Sequence, residues 1–275
     1  MNNDSPYELL SPTGWAAPPK LFSFSSLQTV TSCPRRWQLL HSEWGIFSRF
    51  PERAHPTAID GQIVHLALDR LSRALGRRGR PAIGSLEFQA AASECGFWSL
   101  FDEQVTEWNS RAARHPRTGP GFLIRTAPRE LANRAVRLLR EQYRPGATKA
   151  LDVHSAGVGT GSIADRFHRE GALSEVRLNH PTLLLTGTLD LVFRDADGET
   201  VVVDFKTGTA KDTHRDQLLL YAMLWWRCSS RAPAKIAVQY LASGWEEPIS
   251  DLDMTRVEER VALEINAALA ALAQQ

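Results

Sequence analysis

The segment Thr200-Val-Val-Val-Asp-Phe-Lys206 constrains the fold of this chain more than any other. Its valines and phenylalanine suit a pleated, buried strand, yet it carries a carboxylate and an ammonium. Side chains alternate along a strand, so Asp204 and Lys206 share one face and Phe205 points the other way, into a core. Two charges in so apolar a strand are costly to bury without compensation. Just upstream, Asp195-Ala-Asp-Gly198 is a hairpin signal. The preceding strand, Leu183 to Phe193, should therefore pair with this one and bring Asp190 beside Asp204. Glu175 falls on a further strand, Leu173 to Leu178. Three carboxylates and a lysine are thus expected on one sheet. Clustered carboxylates repel one another unless a proton or a cation neutralises them. Such an oxygen-rich set suits Mg²⁺ or Mn²⁺. A lysine beside it can orient or deprotonate a water, or stabilise charge developing at a phosphate.

The rest of the chain supports a sizeable domain around that sheet. It has 275 residues, 43% of them hydrophobic and 23% charged, which excludes a collagen, a disordered tail and a small disulfide scaffold. No uninterrupted apolar run reaches the roughly 18 residues of a membrane span. Met1 to Pro19 is polar and proline-rich, unlike a signal peptide. The three cysteines, Cys33, Cys95 and Cys228, are scattered and odd in number. They point to free thiols in a reducing cytoplasm.

The N-terminal half reads as helical after an irregular tail over 1–20. Ser25 to Trp44 patterns as a helix with Leu27, Val30, Trp37 and Leu40 as apolar positions, kinked or broken at Pro34. Thr57 to Leu75 forms a second, with Ile59, Ile63, Val64, Leu68 and Leu71 on one side, ended by the basic loop Gly76 to Arg80. Ile83 to Ala113 and Ala127 to Tyr143 are the third and fourth. Gly157-Val-Gly-Thr-Gly161 reads as a connection, since no strand precedes it and no Lys-Ser/Thr ends it. After the three strands come a helix (Asp212 to Arg227), a strand (Lys235 to Leu241), a short strand near Pro248 to Leu252, and an alanine-rich helix (Thr255 to Ala273). The class is mixed α/β with a helical N-terminal region.

Charge divides along the chain. Residues 1–150 hold 20 Lys+Arg and 13 Asp+Glu, a net of +7; residues 151–275 hold 12 and 18, a net of −6. A polyanion-binding half joined to a cation-binding half has this signature. Arginine dominates the basic side, 27 of 32 residues, and suits bidentate phosphate contacts and base stacking. Arg134, Arg137, Arg140 and Arg144 recur at helical spacing.

The ordered residues Glu175, Gly187-Thr-Leu-Asp190, Asp204-Phe-Lys206 and Thr207-Gly208 resemble the RecB-like branch of the PD-(D/E)XK nucleases. Gln217-Leu-Leu-Leu-Tyr221 resembles its Q-x-x-x-Y helix, and Gly61-Gln-Ile-Val-His65 its upstream G-x-x-x-H helix. Phe24-Ser-Ser-Leu27 with Cys33-Pro-Arg-Arg-Trp37 is similar to its N-terminal segment. The resemblance spans about residues 21–241. It implies a restriction-endonuclease-like core, a mixed β-sheet flanked by helices, as a single domain over 21–275. In that reading 21–150 is the helical, DNA-binding part and 151–275 the catalytic sheet with its helices.

The resemblance also implies roles. Asp190, Asp204 and the Phe205 carbonyl would bind Mg²⁺ or Mn²⁺, supported by Glu175 and His65. Lys206 would position the attacking water. Gln217 and Tyr221 would hold the substrate strand or the site geometry. Arg35, Arg36 and Arg137 are candidate backbone contacts, as are Arg77, Arg78 and Arg80. Some relatives bind a four-cysteine iron–sulfur cluster, whose first cysteine lies where Cys33 does. Three cysteines cannot supply four thiolates, so no cluster is expected, and Cys33 is expected to be a small buried residue.

The function implied is a metal-dependent DNA nuclease of exonuclease type, in repair, recombination or defence. Its partners would be single-stranded or duplex DNA ends and a helicase or other subunit, with no membrane involved. The alternative is a non-catalytic DNA-binding or scaffold subunit of a helicase–nuclease or defence complex. A remoter one is hydrolysis of a small phosphate ester.

Overall fold

The computed structural model of the chain describes residues 11–50, 53, 55–115, 117, 118, 121–144, 146–150, 161–206, 208–240, 245–249 and 253–274. Thr207, residues 157–160 of the glycine-rich turn, and residues 1–10 of the N-terminal tail lie outside them.

Nine helices and five strands are formed by the described residues. Helices α1 (Phe24–Ser32), α2 (Pro34–His41), α3 (Pro56–Arg77), α4 (Leu86–Glu94), α5 (Phe97–Arg114), α6 (Pro128–Gln142) and α7 (Ile163–Glu170) precede the sheet. Strands β1 (Ala172–His180), β2 (Leu185–Arg194) and β3 (Thr200–Lys206) follow. Then come α8 (Asp212–Ser229), β4 (Lys235–Tyr240), β5 (Trp245–Ile249) and α9 (Met254–Ala273).

The strands lie in the order β1-β2-β3-β4-β5. The first three form an antiparallel meander, β4 joins β3 in parallel, and β5 closes antiparallel to β4. A parallel neighbour requires a crossover, and α8 is that crossover. The hairpin turn is where the sequence puts it: Asp195 N–H bonds Glu199 O at 3.0 Å, and Gly198 takes the positive φ (79°) the turn needs.

Each face of the sheet has its own core. On one face α1, α2, α7, α8 and α9 pack through Leu27, Val30, Trp37, Phe167, Trp225 and Val261 against Val176, Leu189, Val202 and Val238. On the other, α3 to α6 pack through Val64, Leu71, Phe101 and Leu138 against Leu191, Val203 and Phe205. The sheet is thus covered on both sides, which explains its near-continuous apolar strands. Helix α8 is apolar almost all round, with Leu218, Leu219, Leu220, Ala222, Met223, Leu224 and Trp225 buried, because it lies between the sheet and α9.

Several boundaries depart from the periodicity. The first helical run is two helices, α1 and α2, parted at Cys33, whose extended backbone caps α2 ahead of Pro34. The third is also two, because Gly96 (φ 63°) turns the chain between α4 and α5. Helix α7 was not anticipated; it has one buried apolar residue, Phe167, too few to show a period. β2 starts at Leu185, after a 3₁₀ turn over Pro181–Leu183, and β5 lies earlier than the expected short strand.

Candidate active site

The site forms where β2 and β3 part. Their ladder runs from Arg194 opposite Thr200 to Leu191 opposite Val203 and ends there. One residue further, a side chain takes over: Phe205 N–H donates to Asp190 Oδ2 at 2.7 Å. Asp190 is thereby held against β3, next to Asp204.

A second device aims Glu175. Ser174 pairs with Leu191 and Val176 with Leu189, so Glu175 and Asp190 face each other between two ladder pairs. Both strands change faces at this point. Leu173 and Val176 lie in the same core although three residues apart, while Leu189 and Leu191 lie in opposite cores although two apart. Glu175 holds φ at 48°, a left-handed conformation inside a strand. Strict alternation would not allow this arrangement, and it brings Glu175 to α3, where its Oε1 and His65 Nδ1 share a hydrogen bond at 3.2 Å.

The carboxylates feel one another. Burial, reinforced by Asp204 and Glu175, pushes the Asp190 carboxyl up to about 7. Burial likewise raises Asp204, which is 3% exposed, against the pull of Lys206 and His65. For His65, burial acts downward, but the Glu175 hydrogen bond and the charges of Asp190, Glu175 and Asp204 hold it above its ordinary value. Burial, charge and hydrogen bonding thus tie together four residues from three strands and a helix.

Lys206 belongs to the opposite side of the site. Its Nζ stands 2.6 Å from Asp204 Oδ2 and donates to Gln217 Oε1 at 2.7 Å. Gln217 Nε2 donates in turn to Tyr221 OH at 2.9 Å. Burial pushes the Tyr221 phenol up to about 12, so it stays protonated at neutral pH. The Tyr221 ring rests on β2 at Gly187, where a Cβ would lie 2.8 Å from Tyr221 Cε1. Gly187 is therefore small so that the ring can approach the strand. His214, at spacing three and seven from Gln217 and Tyr221, was missed by the sequence reading. It shares a hydrogen bond with Tyr240 OH at 3.2 Å, and Tyr240 is the β4 partner of Lys206. The 214, 217, 221 spacing was the available signal.

The arginines are placed less pointedly. Arg35 donates to Gln38 at 3.0 Å and lies over the Trp15 ring at 4.1 Å. Arg36 is exposed at a groove along α1, and Arg137 is exposed on α6. The stripe along α6 and just past its end is partly neutralised: Arg134 meets Glu130 and the buried Asp60, and Arg144 meets Glu141 and Gln239. Arg77 and Arg78 pair with Glu94, and Arg80 donates to Thr148 O. Trp37 and Trp44 are core residues. Cys33, expected to be buried, is exposed; its sulfur accepts from Arg36 N–H at the start of α2.

Among the described residues, no three His, Cys, Asp or Glu side chains are arranged to hold a metal ion as they stand. The reason is visible in the contacts: Asp190 is held by Phe205 N–H, Glu175 by His65, and Asp204 by Lys206. The donor set itself fits a hard divalent cation. Asp204 and Asp190 are hard oxygen donors side by side, and burial, reinforced by Asp204 and Glu175, raises the Asp190 carboxyl, so a cation there would relieve the strain of crowded acids. No helix among the described residues is long and apolar enough to cross a membrane. No curated protein matches the chain. The family model of the PD-(D/E)XK nuclease superfamily matches residues 21–274. An acid from each arm of a hairpin, a lysine two residues after the second, and a five-stranded mixed sheet between helical layers are thus joined by a match over nearly the whole chain: it belongs to the PD-(D/E)XK nuclease superfamily, with a restriction-endonuclease-like fold.

Proposed function

We propose that the chain is a Mg²⁺- or Mn²⁺-dependent deoxyribonuclease of the RecB-like branch, an exonuclease acting in repair, recombination or defence against foreign DNA. The observation that carries this reading is the meeting of Asp190, Asp204 and Lys206 at the β2–β3 fork, with Asp204 buried and its Oδ2 facing the Lys206 ammonium at 2.6 Å. Asp190, Asp204 and the Phe205 carbonyl, with Glu175 and His65, would hold the ion. A bound divalent ion supplies positive charge against the diester and lowers the pKa of a coordinated water.

The chain's own groups do the rest. Lys206, steadied by Gln217 and through it Tyr221, orients the attacking water and offsets charge building on the phosphate. Phe205 N–H holds the Asp190 carboxylate beside Asp204. Arg35, Arg36 and Arg137 are exposed and would contact the DNA backbone. The four members of the resemblance's motif, Glu175, Asp190, Asp204 and Lys206, favour this over a non-catalytic DNA-binding or scaffold subunit, which would not need all four. A helicase or other protein subunit would be the partner of such a nuclease.

The test is incubation of the purified protein with end-labelled single-stranded and duplex DNA, in Mg²⁺, Mn²⁺ or EDTA. Metal-dependent cleavage is expected to fall at least about 10³-fold in Asp204→Ala and Lys206→Ala. Successive shortening from an end would identify an exonuclease. DNA binding without cleavage would move the reading to the non-catalytic subunit.

A further inference from the structure

Beside the candidate site, between α3, the end of α6 and β1, lies a cleft of about 350 Å³. His65 and Glu175 form one wall, so anything occupying it lies against the reacting centre. Leu66 and Leu68 provide apolar surface, and Ser174 and Gln142 provide polar groups. Gln142 is the unusual member. It is 4% exposed, and its Oε1 is withdrawn from solvent with no hydrogen bond. A buried amide carbonyl without a donor is rare in folded proteins and calls for a partner. Ser174 Oγ makes only a 3.4 Å bond, to Ala150 O, which leaves it able to accept.

The charges on the cleft say what does not enter. Glu175 and Asp69 both line it, and its cationic groups among the described residues are already engaged: Arg73 is paired to Asp69 at 3.1 Å and His65 meets Glu175 at 3.2 Å. A phosphate would meet two carboxylates there. A flat, neutral group with hydrogen-bonding edges would meet an apolar wall, an amide and a hydroxyl. The volume falls in the usual range for small-molecule sites, roughly 300–1,000 Å³.

We propose that the cleft takes an unstacked nucleobase of the nucleotide next to the scissile phosphate, and that the Gln142 amide reads its edge after a small side-chain rotation. This rests on the nuclease reading above. An amide offers a donor and an acceptor side by side, the complement of a base edge. A base can reach the cleft only when it is unpaired, so cleavage should favour single strands or frayed ends over closed duplex.

The experiment uses the full chain and single-stranded oligonucleotides carrying each of the four bases, or an abasic residue, at positions flanking the mapped cut. At one flanking position the abasic residue should raise KM about tenfold, the order of one base contact, with kcat little changed. Gln142→Leu, close in volume and without the unpaired carbonyl, should remove most of that difference and flatten the base preference. Ser174→Ala should reduce it partly. The inference is overturned if the wild type cuts abasic and base-bearing strands equally well. It is also overturned if both variants lower cleavage of all substrates by one common factor, which would mark a packing role. Failure to cut any DNA with either metal would instead remove the nuclease reading, and this inference with it.

Discussion

The two sides of the site are built differently. Toward α8 everything is closed: Lys206 bonds Gln217, Gln217 bonds Tyr221, and the Tyr221 ring lies on Gly187. Toward α3 the site is open. His65 and Glu175 have side chains 36% and 39% exposed, meet through one 3.2 Å bond, and border a cleft. The closed side holds the Lys206 ammonium in one place; the open side leaves space beside His65 and Glu175. Rigid support and access need opposite packing, and the sheet separates them by giving each its own helical layer.

That contrast can be broken from the closed side first. Gln217→Leu removes the acceptor that orients Lys206 and should lower kcat by about 10²-fold with KM nearly unchanged. A rise in KM alone would make the α8 side a substrate contact instead. Gly187→Ala comes next. It places a methyl group 2.8 Å from the Tyr221 ring and should cost about 1–3 kcal/mol in urea unfolding. Adding Tyr221→Leu should recover much of that loss; simple additivity of the two changes would show that the ring and the glycine do not depend on each other.

On the open side the expected stability effect reverses. Glu175 keeps a left-handed backbone inside a strand, which glycine adopts without strain. Glu175→Gly should therefore stabilise the metal-free protein by about 1 kcal/mol in thermal melts while cleavage falls. A loss of stability would mean that the His65 contact outweighs the strain.

The smallest effect lies far from the site and serves as a reference. At the β2–β3 turn, the Lys235 ammonium donates to Asp195 at 2.6 Å and holds its carboxyl below the ordinary value. A lowered carboxyl contributes stability above the ordinary carboxylate range and loses it as pH falls through the folded value. Between about pH 5 and about pH 2, wild type should lose slightly more stability than Asp195→Asn, since the pair is exposed. Equal losses would show that the pair contributes nothing.

Much of this was legible in the residues themselves. The β2–β3 hairpin, the shared face of Asp204 and Lys206, the α3 apolar stripe from Ile59 to Leu71 and the Gln217–Tyr221 pair all rest on local rules. Alternation, helical period and turn chemistry each act over a few residues, so a chain read alone reveals them. The helix breaks at Cys33 and Gly96 were partly visible for the same reason; Pro34 announced one, while the glycine's positive φ at the other did not show in the pattern.

What lay beyond the sequence depends on distant partners. Alternation could not show that β1 and β2 change faces together at Glu175 and Asp190, because the switch exists only when both strands and both cores are present. The placement of α1 and α2 on the opposite face from α3, the pairing of Arg134 with Asp60, and the exposure of Cys33 are also matters of packing. The sequence by itself determined which residues carry charge into the sheet. Tertiary structure decided which side of the sheet is closed and which is open, since burial and solvent access belong to the layers that cover a residue and not to its neighbours in the chain.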